Sequence, residues 1–163
     1  MKKRGGNTKI GDIFCAKIDE SHKKYLQYIV SDLTQLNSDV IRVFKNVYPI
    51  DANPDLSEIV NDEVDFYAHC VTKEGIKRSL WDKVGNTQEI GCIENIIFKD
   101  KNDYTRTDIQ NDWWFWRING NHIDVNELIG EYKNAYLGLV FQPERIMHKL
   151  KTGSYPGVYA QFE

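Results

Sequence analysis

The segment 113–125, WWFWRINGNHIDV, constrains the fold more than any other part of the chain, because it predicts a β-hairpin. Two hydrophobic runs flank Asn119-Gly120, and both of these residues tolerate the positive φ angles of a type I′ turn. A two-residue loop would place Trp116 directly opposite Ile123. Since opposed residues share a face of the hairpin, one face would then be almost entirely apolar and the other mixed.

The apolar face of this hairpin is predicted to lie in the core, and it carries Trp114, Trp116, Ile118, Ile123 and Val125. The mixed face carries Trp113, Phe115, Arg117, His122 and Asp124. Two interpretations of Trp113 and Phe115 are open. The C-terminal helix covers them, or they are half-exposed and contact a partner, since aromatic residues are frequent at interface hot spots. A loop of three or four residues would shift the register and could exchange the two faces.

Many short strands and few helices are predicted for the rest of the chain. The segments rich in β-branched and aromatic residues are 10–18, 25–31, 39–48, 64–73, 94–100 and 135–141. One short helix should follow Asn53-Pro54, and another should span 143–151. Because the strands do not alternate with long helices, a doubly wound parallel sheet is disfavoured. We expect an α+β fold with a mainly antiparallel, strongly curved or barrel-like β-sheet and two or three short helices.

The length and the cysteine content bound the organisation of the chain. Its 163 residues suit one domain. The basic start MKKRGGNTK has no apolar run after it, so we expect residues 1–8 to be a flexible leader and residues 9–163 a single globular domain. No segment is long and apolar enough to span a bilayer. Cys15, Cys70 and Cys92 are odd in number and form no CxxC pair, which favours reduced thiols and a cytoplasmic location.

Acidic residues are concentrated in one part of the chain. The formal net charge is −3, which argues against a general nucleic-acid binder, because phosphate binding needs a basic surface. Residues 46–72 contain no Lys or Arg, whereas the same span contains Asp51, Asp55, Glu58, Asp62, Glu63 and Asp65. The span is either a solvated surface around a short helix or a negative patch that steers a basic partner, such as a nuclease, into contact.

No catalytic motif is present. The four histidines, His22, His69, His122 and His148, lie in neither HExxH nor a Cys/His zinc spacing. A nucleophilic pair of His69 with Cys70 is disfavoured, because consecutive strand residues point to opposite faces. GxGxxG, GxxxxGK[ST] and GxSxG are all absent. We therefore predict no catalytic residue, no metal site and no cofactor. The alternative is an enzyme whose site assembles in space from His69, His122 or a buried carboxylate.

Three segments resemble a known bacterial family: IGDIFCAKID at 10–19, YLQYIVSDLTQLNSDVIRVFK at 25–45 and DEVDFYAHCVTKEGIKRSLWDKVGN at 62–86. They are similar to the immunity protein family numbered 26, whose members are predicted antidotes in polymorphic toxin systems. The resemblance covers roughly residues 9–100 and is strongest at 11–14 and 38–44. It implies a mostly β fold and a non-enzymatic protein that binds and neutralises a cognate toxin domain. It names neither the toxin nor any catalytic residue, and it does not extend to 101–163.

Two surfaces are candidates for contact with such a toxin. The acidic residues between Asp51 and Asp65 suit a basic nuclease, whereas Trp113 and Phe115 become the better candidates for other toxins. A third function is open: a small β-barrel that stacks nucleic-acid bases on Trp113, Phe115 and Arg117. The net acidity of the chain disfavours this last hypothesis.

Overall fold

The computed structural model describes residues 6–163, so residues 1–5 of the predicted leader lie outside the described residues. Strands β1 to β11 are Asp12–Lys17, His22–Asp32, Ser38–Phe44, Tyr48–Pro49, Val64–Cys70, Asp82–Asn86, Ile97–Lys101, Trp113–Arg117, Ile123–Asn126, Tyr136–Leu137 and Val140–Phe141. Helices α1 to α3 are Leu56–Val60, Thr72–Lys77 and Pro143–Thr152. Two 3₁₀ helices span Gly130–Asn134 and Gly157–Phe162.

The strands form two sheets. The large sheet has the order β11-β5-β3-β2-β1-β6, with β4 pairing beside β2, and the small sheet has the order β10-β7-β8-β9. All pairings are antiparallel except β11 with β5 and β10 with β7. The expected α+β, mainly antiparallel class is confirmed. Within residues 6–163 each sheet ends in edge strands and neither closes on itself, so the barrel-like form is not confirmed.

Both faces of the large sheet are covered, which explains why β2 and β3 are hydrophobic on both sides. Leu26 and Ile41 point to the main core, which the small sheet and α3 also line. Tyr25 and Phe44 point to the other face, where they pack against Ile59 of α1. Burial on both faces removes the strict alternation of a half-buried strand.

Helix α3 follows its sequence signals closely. Pro143 occupies the first turn, where its missing N–H costs nothing, and Gly153 ends the helix in the left-handed conformation at φ 86°. Ile146, Met147 and Leu150 recur at helical spacing and are buried in the main core. The predicted helix after Asn53-Pro54 also forms, although it begins later than predicted, at Leu56.

Helix α2 was not predicted, because its capping group comes from a distant strand. Asp39 of β3 accepts hydrogen bonds from the backbone N–H of Thr72 at 2.8 Å and from its hydroxyl at 2.6 Å. This carboxylate satisfies a free N–H at the start of the helix in the way that a local cap normally does. Gly75, a poor helix former, lies against the ring of Trp81.

Replacing Gly75 by Ala should destabilise the fold by about 1–3 kcal/mol, because a new methyl group would overpack the core. A Cβ at this position would lie 1.9 Å from Cε2 of Trp81, whose Nε1 is held at 3.0 Å by the carbonyl of Thr72. Urea denaturation measures the loss, with Gly6→Ala as a control in open space. Increased stability, as helix propensity alone would give, would show that the Trp81 ring does not pack there.

The predicted hairpin forms, but the prediction of a two-residue loop is wrong, because the loop is longer. Trp113 pairs with Asn126 and Phe115 pairs with Ile123, so the loop spans residues 118–122. Ile123 therefore shares a face with Phe115 and not with Trp116. The reason is tertiary: the side chain of Asn119 accepts from the N–H of residue 33 at 2.8 Å and donates to the carbonyl of residue 31 at 3.0 Å. These bonds fix the loop on the end of β2.

Candidate partner-binding surface

Three acidic side chains form an exposed patch on the loop before α1 and on α1 itself. Asp51, Asp55 and Glu58, hereafter the acidic patch, are exposed, and none makes an ion pair within residues 6–163. Asp55 occupies the N-cap position of α1 without a side-chain capping bond. Among residues 6–163, only the hydroxyl of Tyr48 reaches the carboxylate of Glu58, at a long 3.4 Å. These carboxylates are therefore available to a partner.

The turn at 50–52 and helix α1, which carry the acidic patch, are anchored to the large sheet. The buried ammonium group of Lys23 donates to the carbonyl of Ile50 at 2.9 Å and also to the carbonyl of Ala52. On the inner side of α1, Ile59 and Val60 are buried against the large sheet. Since both the turn and the helix are held in this way, the backbone that carries the acidic patch is fixed on the large sheet.

The other three acidic residues of the predicted set are already engaged. Asp62 accepts from two backbone N–H groups, those of residues 46 and 63, each at 2.7 Å. Glu63 forms an ion pair with Lys45 at 2.7 Å, and this hydrogen bond lowers the pKa of Glu63 below its ordinary value. Asp65 forms an ion pair with Lys24 at 3.0 Å. Both lysines precede the Lys- and Arg-free span, so the charge pattern alone overstated the patch.

Trp113 and Phe115, the other predicted contact residues, are in the main core. Their exposed fractions are 3% and 0%. Trp113 packs edge-on against Tyr104 and Phe162, and Phe115 packs against Tyr132 at a centroid distance of 4.6 Å. Within the described fold they offer no surface to a partner, so this part of the prediction is corrected. Trp113 is covered by the loop residue Tyr104 and by the 3₁₀ helix Gly157–Phe162, and Phe115 is covered by the 3₁₀ helix Gly130–Asn134.

Trp116 and Trp114 lie on the same face of the hairpin but differ in burial. The predicted core position of Trp116 is confirmed at an exposed fraction of 1%. Trp114 lies on the same side of β8 but is only half-buried, and its ring stacks on His122. His122 bonds to Asp124 at 2.6 Å near the surface, as expected for a solvated cluster.

A buried polar cluster joins three elements, and sequence reasoning missed it. Asp32, with no exposed surface, accepts at Oδ2 from Nε2 of His69 at 2.8 Å and from Nε1 of Trp116 at 2.9 Å. Its Oδ1 accepts from the N–H of Asn119 at 3.1 Å. His69 is also fully buried, so no substrate can contact either group in this conformation. The partners are 37 to 87 residues apart, which no local pattern reveals.

No group of three or more His, Cys, Asp or Glu side chains is arranged for a metal ion within residues 6–163. Cys70 is buried and packs in the main core, away from His69, as the strand alternation predicts. Cys15 is partly buried and Cys92 is exposed. Along the described chain, no helix is both long enough and apolar enough to cross a membrane.

Comparison with known proteins identifies the family. A family model described as Immunity protein 26 matches residues 9–107. The chain belongs to the Immunity protein 26 family. No match was found among curated proteins or among solved structures. The resemblance inferred from the sequence is confirmed, and the matched part of this immunity-family chain contains β1 to β7 and the acidic patch. The hairpin of β8 and β9 and helix α3 lie beyond it.

Proposed function

We propose that the chain is a non-enzymatic immunity protein that binds a cognate bacterial toxin domain and neutralises it by covering its functional surface. Family membership supports an immunity role, and the acidic patch supports the mode of binding. Its three carboxylates are exposed, lack counter-ions in the described fold and stand on a base held by buried Lys23. Such an arrangement attracts a basic surface and accelerates association. A nuclease, whose active site accommodates phosphates, is the toxin class that fits best.

The first experiment tests the partner itself. The toxin-like domain encoded beside this gene would be purified and mixed with the chain, and complex formation would be measured by calorimetry. A tight complex of fixed stoichiometry, with loss of the toxin's activity, is the expected result. If the purified chain neither binds the toxin domain nor inhibits its activity, the proposed function is refuted.

Reversing charges in the acidic patch should slow association with the toxin. Asp51→Lys and Asp55→Lys together remove two exposed carboxylates that form no ion pair with any residue of the described chain. We expect the association rate constant to fall by about tenfold or more at low salt, because rim charges act mainly on the rate of encounter. Stopped-flow mixing with the toxin domain measures this rate, and the difference should shrink as salt is added.

A matched variant separates the position of the charges from their number. Glu94→Lys with Glu127→Lys makes the same change in net charge at two exposed positions outside the acidic patch. This control should bind almost as fast as the unmodified chain. Equal slowing by both variants would mean that only net charge matters, and no slowing by the first would remove the acidic patch from the interface.

A further inference from the structure

The pair Asn119-Gly120, in the loop of the β8–β9 hairpin, is chemically labile. Asn119 is the only asparagine of the chain that is followed by glycine. An asparagine loses its side-chain amide when the next backbone nitrogen attacks it, and glycine hinders this attack least because it has no Cβ. Asn119 is exposed, so water can reach it. The toxin-binding proposal uses neither residue.

The reaction consumes water and releases ammonia. The backbone nitrogen of Gly120 loses its proton and attacks Cγ of Asn119, so a new C–N bond forms while the bond from Cγ to Nδ2 breaks. Nδ2 takes up a proton and leaves as ammonia, and a cyclic imide remains. Water then opens this imide at one of its two carbonyl carbons, which gives aspartate or isoaspartate.

The docked loop keeps the two reacting groups engaged elsewhere. Oδ1 of Asn119 accepts from the N–H of Leu33 at 2.8 Å, and Nδ2 donates to the carbonyl of Ser31 at 3.0 Å. The N–H of Gly120, which must lose its proton, donates to the carbonyl of Arg117 at 2.8 Å. The reaction therefore requires the loop to leave the end of β2 first.

The product of the reaction cannot make the same contacts. An aspartate at position 119 has a carboxylate oxygen in place of Nδ2, and this oxygen would face the carbonyl oxygen of Ser31 with no proton between them. The new charge would also lie beside the carboxylate of Asp32, whose Oδ1 accepts from the N–H of Asn119 at 3.1 Å. Like charges at this range repel each other. Isoaspartate, whose backbone runs through Cγ, also changes the length of the loop.

We propose that Asn119 is a deamidation site, that docking of the loop on β2 suppresses the reaction, and that the reacted loop no longer docks. Local opening of a loop is ordinarily reversible. Deamidation at Asn119 makes it permanent, because the amide that binds the carbonyl of Ser31 is gone. The modification thus marks the chains whose hairpin loop has left β2.

The first test compares deamidation of the native full chain with that of the chain unfolded in urea, at the same mildly alkaline pH. Trypsin releases the peptide 118–133, and mass spectrometry of its fragments distinguishes Asn119 from Asn121 and Asn126. Asn119 should react fastest of the three in urea, and about tenfold or more slowly in the native chain, where the loop must open first. Equal rates in both states, or a faster reaction at Asn121 or Asn126, would overturn the proposal.

A variant checks the route of the reaction. Gly120→Ala places a methyl group beside the attacking nitrogen, so deamidation at Asn119 in urea should slow down. The fold cannot cause this difference, because the chain is unfolded in the assay. An unchanged rate would show that the backbone nitrogen of Gly120 is not the attacking group.

The second test supplies the product directly. Asn119→Asp keeps a side chain that tolerates the φ angle of 56°. Asn121→Asp is the matched control, because it adds the same charge to the same loop at an exposed side chain without a hydrogen bond in the described chain. Asn119→Asp should lower the urea midpoint and accelerate hydrogen exchange at the backbone amides of residues 33 and 119, and Asn121→Asp should change neither. An unchanged midpoint with unchanged exchange in Asn119→Asp would mean that the product docks, and the proposal would fail.

Discussion

Replacing Asp32 by Ala should lower the free energy of unfolding by about 3–5 kcal/mol, as expected when one member of a buried charged network is removed. The carboxylate is fully buried and receives hydrogen bonds from His69, Trp116 and Asn119. After the substitution Nε2 of His69 and Nε1 of Trp116 would remain buried without an acceptor, whereas the N–H of exposed Asn119 could bond to water. Nδ1 of His69 already lacks a hydrogen-bond partner in the described structure, so the imidazole would have none. Urea denaturation at neutral pH measures the loss.

The control is a surface carboxylate with the same kinds of donors. Asp19 accepts from the backbone N–H groups of Ser21 and His22 and from Nδ1 of His22. Because the side chains of Asp19 and His22 are about half-exposed and solvent screens their interaction, Asp19→Ala should destabilise the fold far less than Asp32→Ala. Similar losses for Asp19→Ala and Asp32→Ala would mean that burial of the Asp32 cluster has no special importance.

The dependence of this stabilisation on pH follows from the lowered pKa of Asp32. Burial by itself would raise the pKa, but the hydrogen bonds from His69, Trp116 and Asn119 lower it below the ordinary value. A lowered carboxyl pKa contributes stability that is complete above the unfolded value, about 3.9, and is lost as the pH falls toward the folded value. The advantage of the unmodified chain over Asp32→Asn should therefore shrink below about pH 4. An advantage that grew in this range would contradict the assignment.

Local signals in the sequence were sufficient wherever an element is defined by its own residues. Pro143, Gly153 and the apolar positions between them predict α3 correctly, because both helix ends are determined locally. The alternating apolar residues of the segment 64–73 predict β5 for the same reason, although the strand ends at Cys70 and α2 begins at Thr72. The family resemblance also rests on contiguous segments, and the match to residues 9–107 confirms it.

The predictions failed where a distant residue decides the outcome. The hairpin register depends on Asn119 bonding to residues 31 and 33, and α2 depends on a cap from Asp39. Fewer acidic residues are free than predicted, because Lys24 of β2 and Lys45, which directly follows β3, form ion pairs with Asp65 and Glu63. None of these contacts follows from spacing along the chain, since each requires the sheet to be assembled first.

The aromatic run at 113–116 illustrates both cases. Its strand character is local, and β8 forms over Trp113–Arg117 as expected. Which rings are exposed is not local, because the small sheet has a packed layer on each side. Trp113 is enclosed by Tyr104 and Phe162, which belong to a loop and to the C-terminal 3₁₀ helix. The sequence therefore left the exposure of Trp113 and Phe115 open, and contacts from distant segments bury both of them.

Replacing Trp116 by Ala should destabilise the fold by about 3–5 kcal/mol, the usual cost of removing a large core aromatic. The ring is 1% exposed and packs against Phe98 at a centroid distance of 5.9 Å. It also lies so close to Gly138 that a Cβ there would be 2.1 Å from the indole. Trp114→Ala, on the same side of the same strand but half-buried, should cost less than half as much. A loss below about 1 kcal/mol for Trp116→Ala would contradict the packing described here.

Because Trp116 donates a hydrogen bond to Asp32, the effects of replacing these two residues should not be additive. Each single substitution leaves the other group buried without its partner, whereas the double substitution removes both groups at once. The double variant Asp32→Ala with Trp116→Ala should therefore lose less than the sum of the single losses, by about 0.5–3 kcal/mol. Additive losses would mean that the indole and the carboxylate contribute independently, and the cluster would then not be the unit that joins β2, β5 and β8.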